Sequence, residues 1–172
     1  MKIYISTGLN KKFSTSKLLS KFRSNNIKNL ELSSGLYERD ILKKLKKEKK
    51  INLLLHNYFP VPKKPFIINL ASTNNEVFKR SFKQLKKAIL YSSLLKLKYF
   101  SFHAGFLVDP KVSDFGKTLP KQIINERSKI LKLFIKRLNI LSKFAKKKDV
   151  VILLENNVLK KKNLNRFDKN PF

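Results

Sequence analysis

The segment Val150-Val151-Ile152-Leu153-Leu154-Glu155-Asn156-Asn157 joins a run of apolar residues directly to a carboxylate. Such a run, rich in β-branched residues and leucine and closed by asparagines, predicts a strand over residues 150–154. A carboxylate this close to a protein core needs a positively charged partner, which is either a metal ion or a lysine. The end of this strand is therefore the first candidate for a functional site.

Four shorter apolar runs precede this one, and each ends in a turn or in polar residues. They predict strands at residues 2–6, 29–32, 51–55 and 99–102. Between the strands, apolar residues recur at helical spacing and predict four helices. These follow the candidate cap Ser14-Thr15-Ser16, include Ile41-Leu42 and Leu45, and span residues 75–95 and 120–147. Alternation of strands and helices is typical of an α/β protein with a parallel sheet.

The order of these elements matches the first part of a (β/α)8 TIM barrel. A complete barrel of this kind needs about 250 residues, whereas the chain has 172. We therefore predict a partial barrel with five parallel strands and four main helices. The prediction treats residues 1–172 as one incomplete domain that is truncated after the fifth strand.

The composition limits the class of protein. The 42% hydrophobic content is typical of a globular protein, and without cysteine the chain has neither disulfides nor thiolate ligands. A net charge of +29 on its own suggests a polyanion partner. However, only six of the 40 basic residues are arginine, and lysines such as those in residues 43–47 fall on the solvent side of helical patterns. We therefore interpret the charge as solvated helix faces and do not expect nucleic acid as a partner.

No signal peptide and no apolar stretch of eighteen residues is present in the sequence. These two observations predict a cytoplasmic protein that does not cross a membrane.

Three side chains able to bind a metal follow consecutive predicted strands: His56, His103 and Glu155. The carboxyl ends of parallel barrel strands meet at one rim, and neighbouring strands are about 4.8 Å apart, so these groups are expected to converge on one ion. The chain contains two histidines, and both occur at strand ends. A simpler interpretation stays open for each group, since His56 could cap a backbone carbonyl and Glu155 could pair with a lysine.

Four further polar residues are candidates for binding a substrate. Glu31 belongs to the end of the second predicted strand, and three asparagines, Asn57, Asn156 and Asn157, adjoin the candidate ligands. Their amide groups suit the hydroxyl groups of a sugar. Glu31 could equally pair with a lysine, and asparagine is common throughout the chain.

The motifs at these positions resemble those of the xylose-isomerase-like TIM barrels, a superfamily of sugar isomerases, epimerases and endonuclease IV-type apurinic nucleases. Phe102-His103-Ala104-Gly105 resembles the family's His-Pro-Gly after the fourth strand, with Ala104 in place of proline. Leu154-Glu155-Asn156-Asn157 resembles the Glu-Asn-Thr after the fifth. His56, residues 66–72 and Ser81 resemble the segment that leads from the third strand into the third helix. The resemblance covers essentially the whole chain.

This resemblance implies roles for the candidate residues. His56, His103 and Glu155 would be metal ligands, and in epimerases Glu155 would also help to move a proton next to a carbonyl. The family's remaining ligands come from the sixth to eighth strands, which this sequence does not contain. The implied cofactor is a divalent ion, Mn, Mg, Co or Zn, in an incomplete site.

Three functions stay open at this point. The favoured one is a metal-dependent isomerase or epimerase acting on a small sugar or sugar phosphate, because the proline-rich loop at 58–65 and Ala104 both depart from the nuclease pattern. The second is an apurinic-site DNA repair nuclease. The third is a truncated, non-catalytic product whose open sheet edges lead it to self-associate or to bind a partner that covers them.

Overall fold

The computed structural model describes residues 2–8, 12–114, 117–119, 121, 126–157 and 161–167. It contains one sheet of five parallel strands in the order β1-β2-β3-β4-β5: β1 (Ile5–Ser6), β2 (Asn29–Leu32), β3 (Asn52–His56), β4 (Tyr99–His103) and β5 (Val151–Glu155). The strands alternate with four α-helices: α1 (Thr15–Ser24), α2 (Ile41–Lys47), α3 (Asn75–Leu94) and α4 (Arg127–Lys146). Two short 3-10 helices lie at Val112–Asp114 and Lys161–Arg166. The predicted α/β class and partial barrel are thus confirmed.

Several element boundaries differ from the prediction. β1 is shorter than residues 2–6, because its ladder with β2 is limited to Ile5 and Ser6. β3, β4 and β5 each extend one residue further than expected, so His56, His103 and Glu155 are the last residues of their strands. The predicted helix start at position 120 lies outside the described residues, and α4 begins at Arg127 after left-handed backbone at Glu126 (φ 53°).

The core lies between the sheet and the helices. Alternate strand side chains point toward the helices because successive residues of a strand face opposite sides. Each of these is 9% exposed or less: Leu30, Leu32, Leu53, Leu55, Phe100 and Phe102. They pack against Leu85, Ala88 and Ile89 of α3 and against Leu141 and Ala145 of α4. The opposite face of the sheet carries polar side chains, among them Glu31, His56, Ser101, His103 and Glu155.

The fifth strand is less covered than its sequence predicts. Val150, just before it, is 4% exposed, but Val151, Leu153 and Leu154 are 44–45% exposed. The reason is that β5 has a paired neighbour on one side only among the described residues. Association through the edges at β1 and β5 stays a prediction. Within the described part of the chain, no helix is long and apolar enough to span a membrane.

Candidate metal centre

The three candidate ligands converge at the carboxyl-terminal rim of the sheet. His56, His103 and Glu155 each offer one ligand atom, and these atoms all lie within 4.8 Å of one another. The residues end three neighbouring strands, β3, β4 and β5, and the rings of the two histidines meet edge-on with their centroids 5.1 Å apart. The structure therefore brings together the groups that the sequence placed at separate strand ends.

His56 is held by a hydroxyl and faces a carboxylate. Its Nδ1 lies 2.7 Å from Ser101 Oγ and 3.4 Å from Glu155 Oε1. A carboxylate only accepts hydrogen bonds, so a proton on Nδ1 satisfies both neighbours. That tautomer leaves the lone pair of Nε2 available to an ion. Ser101 was not among the residues predicted from the sequence, and it is the direct partner of His56 in the ladder between β3 and β4.

His103 is oriented in the same way by a different group. Its Nδ1 lies 3.1 Å from the backbone carbonyl oxygen of Asn156. A carbonyl is also an acceptor only, so Nδ1 is the donor, and a lone pair available to an ion would be that of Nε2. Hydrogen bonds of this kind to the second ring nitrogen fix the orientation of metal-binding histidines.

The environment of His56 favours its neutral form. Burial is the largest effect and lowers the pKa of His56, and the nearby His103 lowers it further. The carboxylates of Glu31 and Glu155 act in the opposite direction but do not outweigh burial. Because a metal binds neutral imidazole, His56 is in its ligand form at neutral pH without giving up a proton.

Glu155 is more accessible than expected. Its side chain is 45% exposed, so the core does not enclose it as the sequence suggested. The reason is the position of β5, which leaves the end of this strand open to solvent. Among the described residues, the basic group within 4 Å of its carboxylate is the imidazole of His56 rather than a lysine, and this pair is ionic only when the imidazole is protonated. An exposed carboxylate oxygen beside two imidazoles is available both to an ion and to a substrate.

The four weaker candidates lie around these ligands. Glu31 is half-buried in β2, and its charge acts on His56. Asn57 has left-handed backbone (φ 44°), is 8% exposed, and its Oδ1 is buried with no hydrogen-bond partner in the described structure. Asn156 is exposed and contributes its carbonyl to His103, while Asn157 donates from Nδ2 to the carbonyl oxygen of Gly105.

The donor set fits a divalent transition metal. Two imidazole nitrogens and one carboxylate oxygen, without thiolates, are a combination used by zinc, cobalt and manganese sites. Three protein ligands also leave a coordination position open, as in catalytic zinc sites.

Comparison with known proteins identifies the fold family. Residues 23–168 match the family model described as "Xylose isomerase-like TIM barrel". A search of curated proteins finds no match. Solved structures do match, and the chain spans about half of their length.

Three of these structures show the range of similarity. A D-tagatose 3-epimerase-like protein is 21% identical with a TM-score of 0.69, over 96% of this chain and 56% of that one. A Thermus thermophilus protein from a crystal soaked with ZnCl2 is 19% identical with a TM-score of 0.57, over 86% of this chain and 56% of that one. D-psicose 3-epimerase from Clostridium cellulolyticum H10, solved with D-tagatose, is 15% identical with a TM-score of 0.59, over 90% of this chain and 52% of that one.

At these identities the solved structures establish a shared fold and nothing finer. The family model covers most of the chain, and the five-stranded parallel sheet with its alternating helices agrees with it. The chain belongs to the xylose isomerase-like TIM barrel family.

Proposed function

We propose that the chain binds a divalent metal ion through His56, His103 and Glu155 and uses it in the isomerisation or epimerisation of a small sugar. The observation that carries this proposal is the convergence of the three ligand atoms within 4.8 Å at the rim where barrel enzymes place their active sites. The Nδ1 contacts of both imidazoles leave Nε2 as the nitrogen for an ion, and burial favours the neutral form of His56 by lowering its pKa. The similarity to epimerases and to a zinc-soaked relative supports the choice of chemistry.

Each residue has a proposed role. A bound ion would polarise the carbonyl and hydroxyl oxygens of the sugar. Glu155 has an exposed carboxylate, which accepts the proton from the carbon next to the carbonyl and returns it. Asn57 directly follows His56, and its amide is a proposed contact for a sugar hydroxyl. Glu31, Asn156 and Asn157 complete the proposed substrate contacts.

Nitrogen ligands make zinc, cobalt and manganese better candidates than magnesium, which prefers oxygen ligands. We propose zinc as the first ion to test. Since the chain spans about half the length of its structural relatives, turnover by this chain is itself part of the proposal.

Metal binding is tested by titrating zinc and cobalt into wild-type protein and into Glu155→Gln. The matched control is Glu76→Gln, which makes the same change at an exposed position in the first turn of α3. We expect binding by the wild type and the control, and at least 10-fold weaker binding by Glu155→Gln, because loss of a group that merely orients a ligand already costs about 10- to 100-fold. Equal affinity in all three proteins would reject Glu155 as a ligand.

The reaction class is tested with the metal-loaded protein. D-tagatose, D-psicose and D-fructose are incubated with it, and the products are separated by chromatography. A parallel incubation uses DNA with a single abasic site, because the net charge of +29 also suits a phosphodiester substrate. Conversion of a ketose supports the sugar function, while nicking of the DNA without ketose conversion would replace it with the nuclease function.

A further inference from the structure

A buried asparagine outside the metal centre ties two loops together. Asn69 lies between β3 and α3 and is 1% exposed. Its Nδ2 donates to the carbonyl of Val108 (2.9 Å) and to Asp109 Oδ1 (2.8 Å). Its Oδ1 accepts from the backbone N–H groups of Ala71 (3.1 Å) and Phe106 (3.0 Å). Both donors and both lone pairs of this carboxamide are therefore used.

Three of these four bonds go to one segment, residues 106–109, which begins three residues after His103. Gly105, the residue before this segment, also lies close to Asn69, since a Cβ built on Gly105 would be 2.6 Å from Asn69 Oδ1. Gly105 has φ +103°, a conformation that side chains rarely adopt. Only a residue without a side chain fits at position 105 in this conformation, so Gly105 permits the close contact with the Asn69 side chain.

Asn69 is itself firmly anchored. Its backbone N–H donates to Ser81 Oγ (2.9 Å), and Ser81 donates to the carbonyl of Val77 one turn earlier in α3. Asp109, which receives a bond from Asn69, also accepts from Ser72 Oγ at 2.7 Å. Residue 69 therefore joins α3 through its backbone N–H and the loop through its side chain.

The loop connects directly to the candidate ligands. Ala104, next to His103, donates from its N–H to the carbonyl of Glu155 at 3.0 Å. The carbonyl of Gly105 accepts from Asn157 Nδ2. The backbone that follows His103 is thus held by β5 on one side and by Asn69 on the other. Loss of the Asn69 contacts would leave the backbone of residues 104–109 held from the β5 side alone.

We propose that Asn69 is a positioning residue for the metal centre. Its carboxamide fixes residues 104–109 so that His103 keeps its direction toward His56 and Glu155. This inference rests on the proposed metal site for its functional meaning, while the structural part stands on the hydrogen bonds alone.

The test compares Asn69→Ala with Asn163→Ala. Asn163 is the control, because it is 6% exposed and its amide also bridges backbone groups, but those of Lys117 and Leu119 rather than those of residues 104–109. Two quantities are measured at a temperature where circular dichroism shows each protein folded: the zinc dissociation constant and the hydrogen exchange rate of the Phe106 amide.

We expect Asn69→Ala to weaken zinc binding by about 10- to 100-fold and to accelerate exchange at Phe106. Asn163→Ala should leave both unchanged.

A second pair of variants tests the same contact in case Asn69→Ala does not fold. Asn69→Asp places a carboxylate against Asp109 and should weaken zinc binding, and the double variant Asn69→Asp/Asp109→Asn should restore part of the affinity, because the new amide at 109 donates to the new carboxylate at 69.

The outcomes separate this inference from the proposed function. If wild-type protein binds no zinc, the proposed function fails, and exchange at Phe106 still decides whether Asn69 holds the loop. Unchanged exchange at Phe106 in the Asn69 variants overturns the inference. Faster exchange with unchanged zinc affinity also overturns it, since the loop would then be held without any effect on the site.

Discussion

Nδ1 of His56 and Oε1 of Glu155 lie 3.4 Å apart, although strand β4 separates β3 from β5 in the sheet. Neighbouring strands are about 4.8 Å apart, so two steps across a flat sheet would separate the strand ends by roughly 9.6 Å. The register pairs His56 with Ser101 and His103 with Glu155, so the three ligands lie on the same face of the sheet and their side chains reach toward one another across the end of β4. The neighbouring hydrogen bonds then set how each ring points.

Replacing Ser101 by alanine should therefore weaken metal binding without removing a ligand. The substitution takes away the hydroxyl 2.7 Å from His56 Nδ1. We expect about a 10-fold weaker zinc affinity, at the lower end of the effects of such changes, because Glu155 stays close to the same nitrogen. Ser24→Ala at the exposed end of α1 is the control. Isothermal titration measures both, and identical affinities would show that Ser101 does not orient the ring.

Ionised Glu38 should stabilise the fold, so the free energy of unfolding should fall when this carboxylate is protonated at acid pH. Its carboxylate accepts from the N–H and the hydroxyl of Ser16 at the start of α1, and it pairs with Lys44 of α2 at 2.5 Å. Burial alone would raise the pKa of Glu38, but the bonds from Lys44 and Ser16 outweigh it and lower this pKa. The stabilisation is therefore complete above the carboxyl's ordinary pKa and is lost as the pH falls through the lowered value.

The measurement is urea unfolding of wild type and Glu38→Gln across this pH range. At neutral pH the variant should be less stable by about 1 kcal/mol, a modest value because Lys44 is half exposed and solvent screens the pair. The difference should shrink as the pH falls below the ordinary carboxyl range. A difference that is constant with pH would show that the charge of Glu38 is not what links the two helices.

The sequence was sufficient for the number and order of the strands and helices, because these are encoded locally, and it placed the three candidate ligands at strand ends. Alternating apolar patterns give the elements, and a polar residue directly after an apolar run marks a strand end. The pairing of Ser101 with His56 was not foreseen, since it depends on the register between β3 and β4. The exposure of Glu155 was also missed, because it depends on what packs beside β5 rather than on residues 150–155 themselves.

The role of Asn69 shows the same limit. Residues 66–72 resemble a family segment, but nothing near them in the sequence indicates that the Asn69 side chain makes four hydrogen bonds. Three of those bonds go to residues that are 37 to 40 positions away. Contacts of this range become visible only when the loops are placed on the sheet.

Arg137 should contribute strongly to stability although it lies on a surface helix. The side chain is 9% exposed, its guanidinium carbon lies 3.7 Å from the centre of the Phe78 ring, and Nη1 donates to the carbonyls of Leu70 and Ser72 at 2.7 Å each. Burial lowers the pKa of Arg137, while the charge of Asp109 opposes this. Arg137→Met keeps much of the side-chain volume but leaves both carbonyls without their donor.

We expect Arg137→Met to lower the free energy of unfolding by about 2–3 kcal/mol, the cost of leaving buried polar groups unpaired. Lys136→Met at the adjacent exposed position is the control and should change it by less than about 0.5 kcal/mol. Chemical denaturation gives both values. Equal stability of the two variants would mean that water replaces the guanidinium at these carbonyls.

Asn74 caps the helix that anchors Asn69, so its loss should reach the β4 loop as well as the helix. Asn74 Oδ1 accepts from the N–H groups of Glu76 (2.9 Å) and Val77 (3.3 Å), and its own backbone N–H donates to Ser72 Oγ. Asn74→Ala should cost about 1 kcal/mol, which for a chain of this size lowers Tm by roughly 2–4 °C. Asn75→Ala changes the next, exposed residue and should leave Tm nearly unchanged.

The effect of the Asn74 cap should also reach residues 106–109, because Ser72, which accepts from the Asn74 N–H, donates to Asp109. Hydrogen exchange should therefore increase at residues 106–109 in Asn74→Ala but not in Asn75→Ala. Exchange confined to the first turn of α3 would show that the cap and the loop are energetically separate.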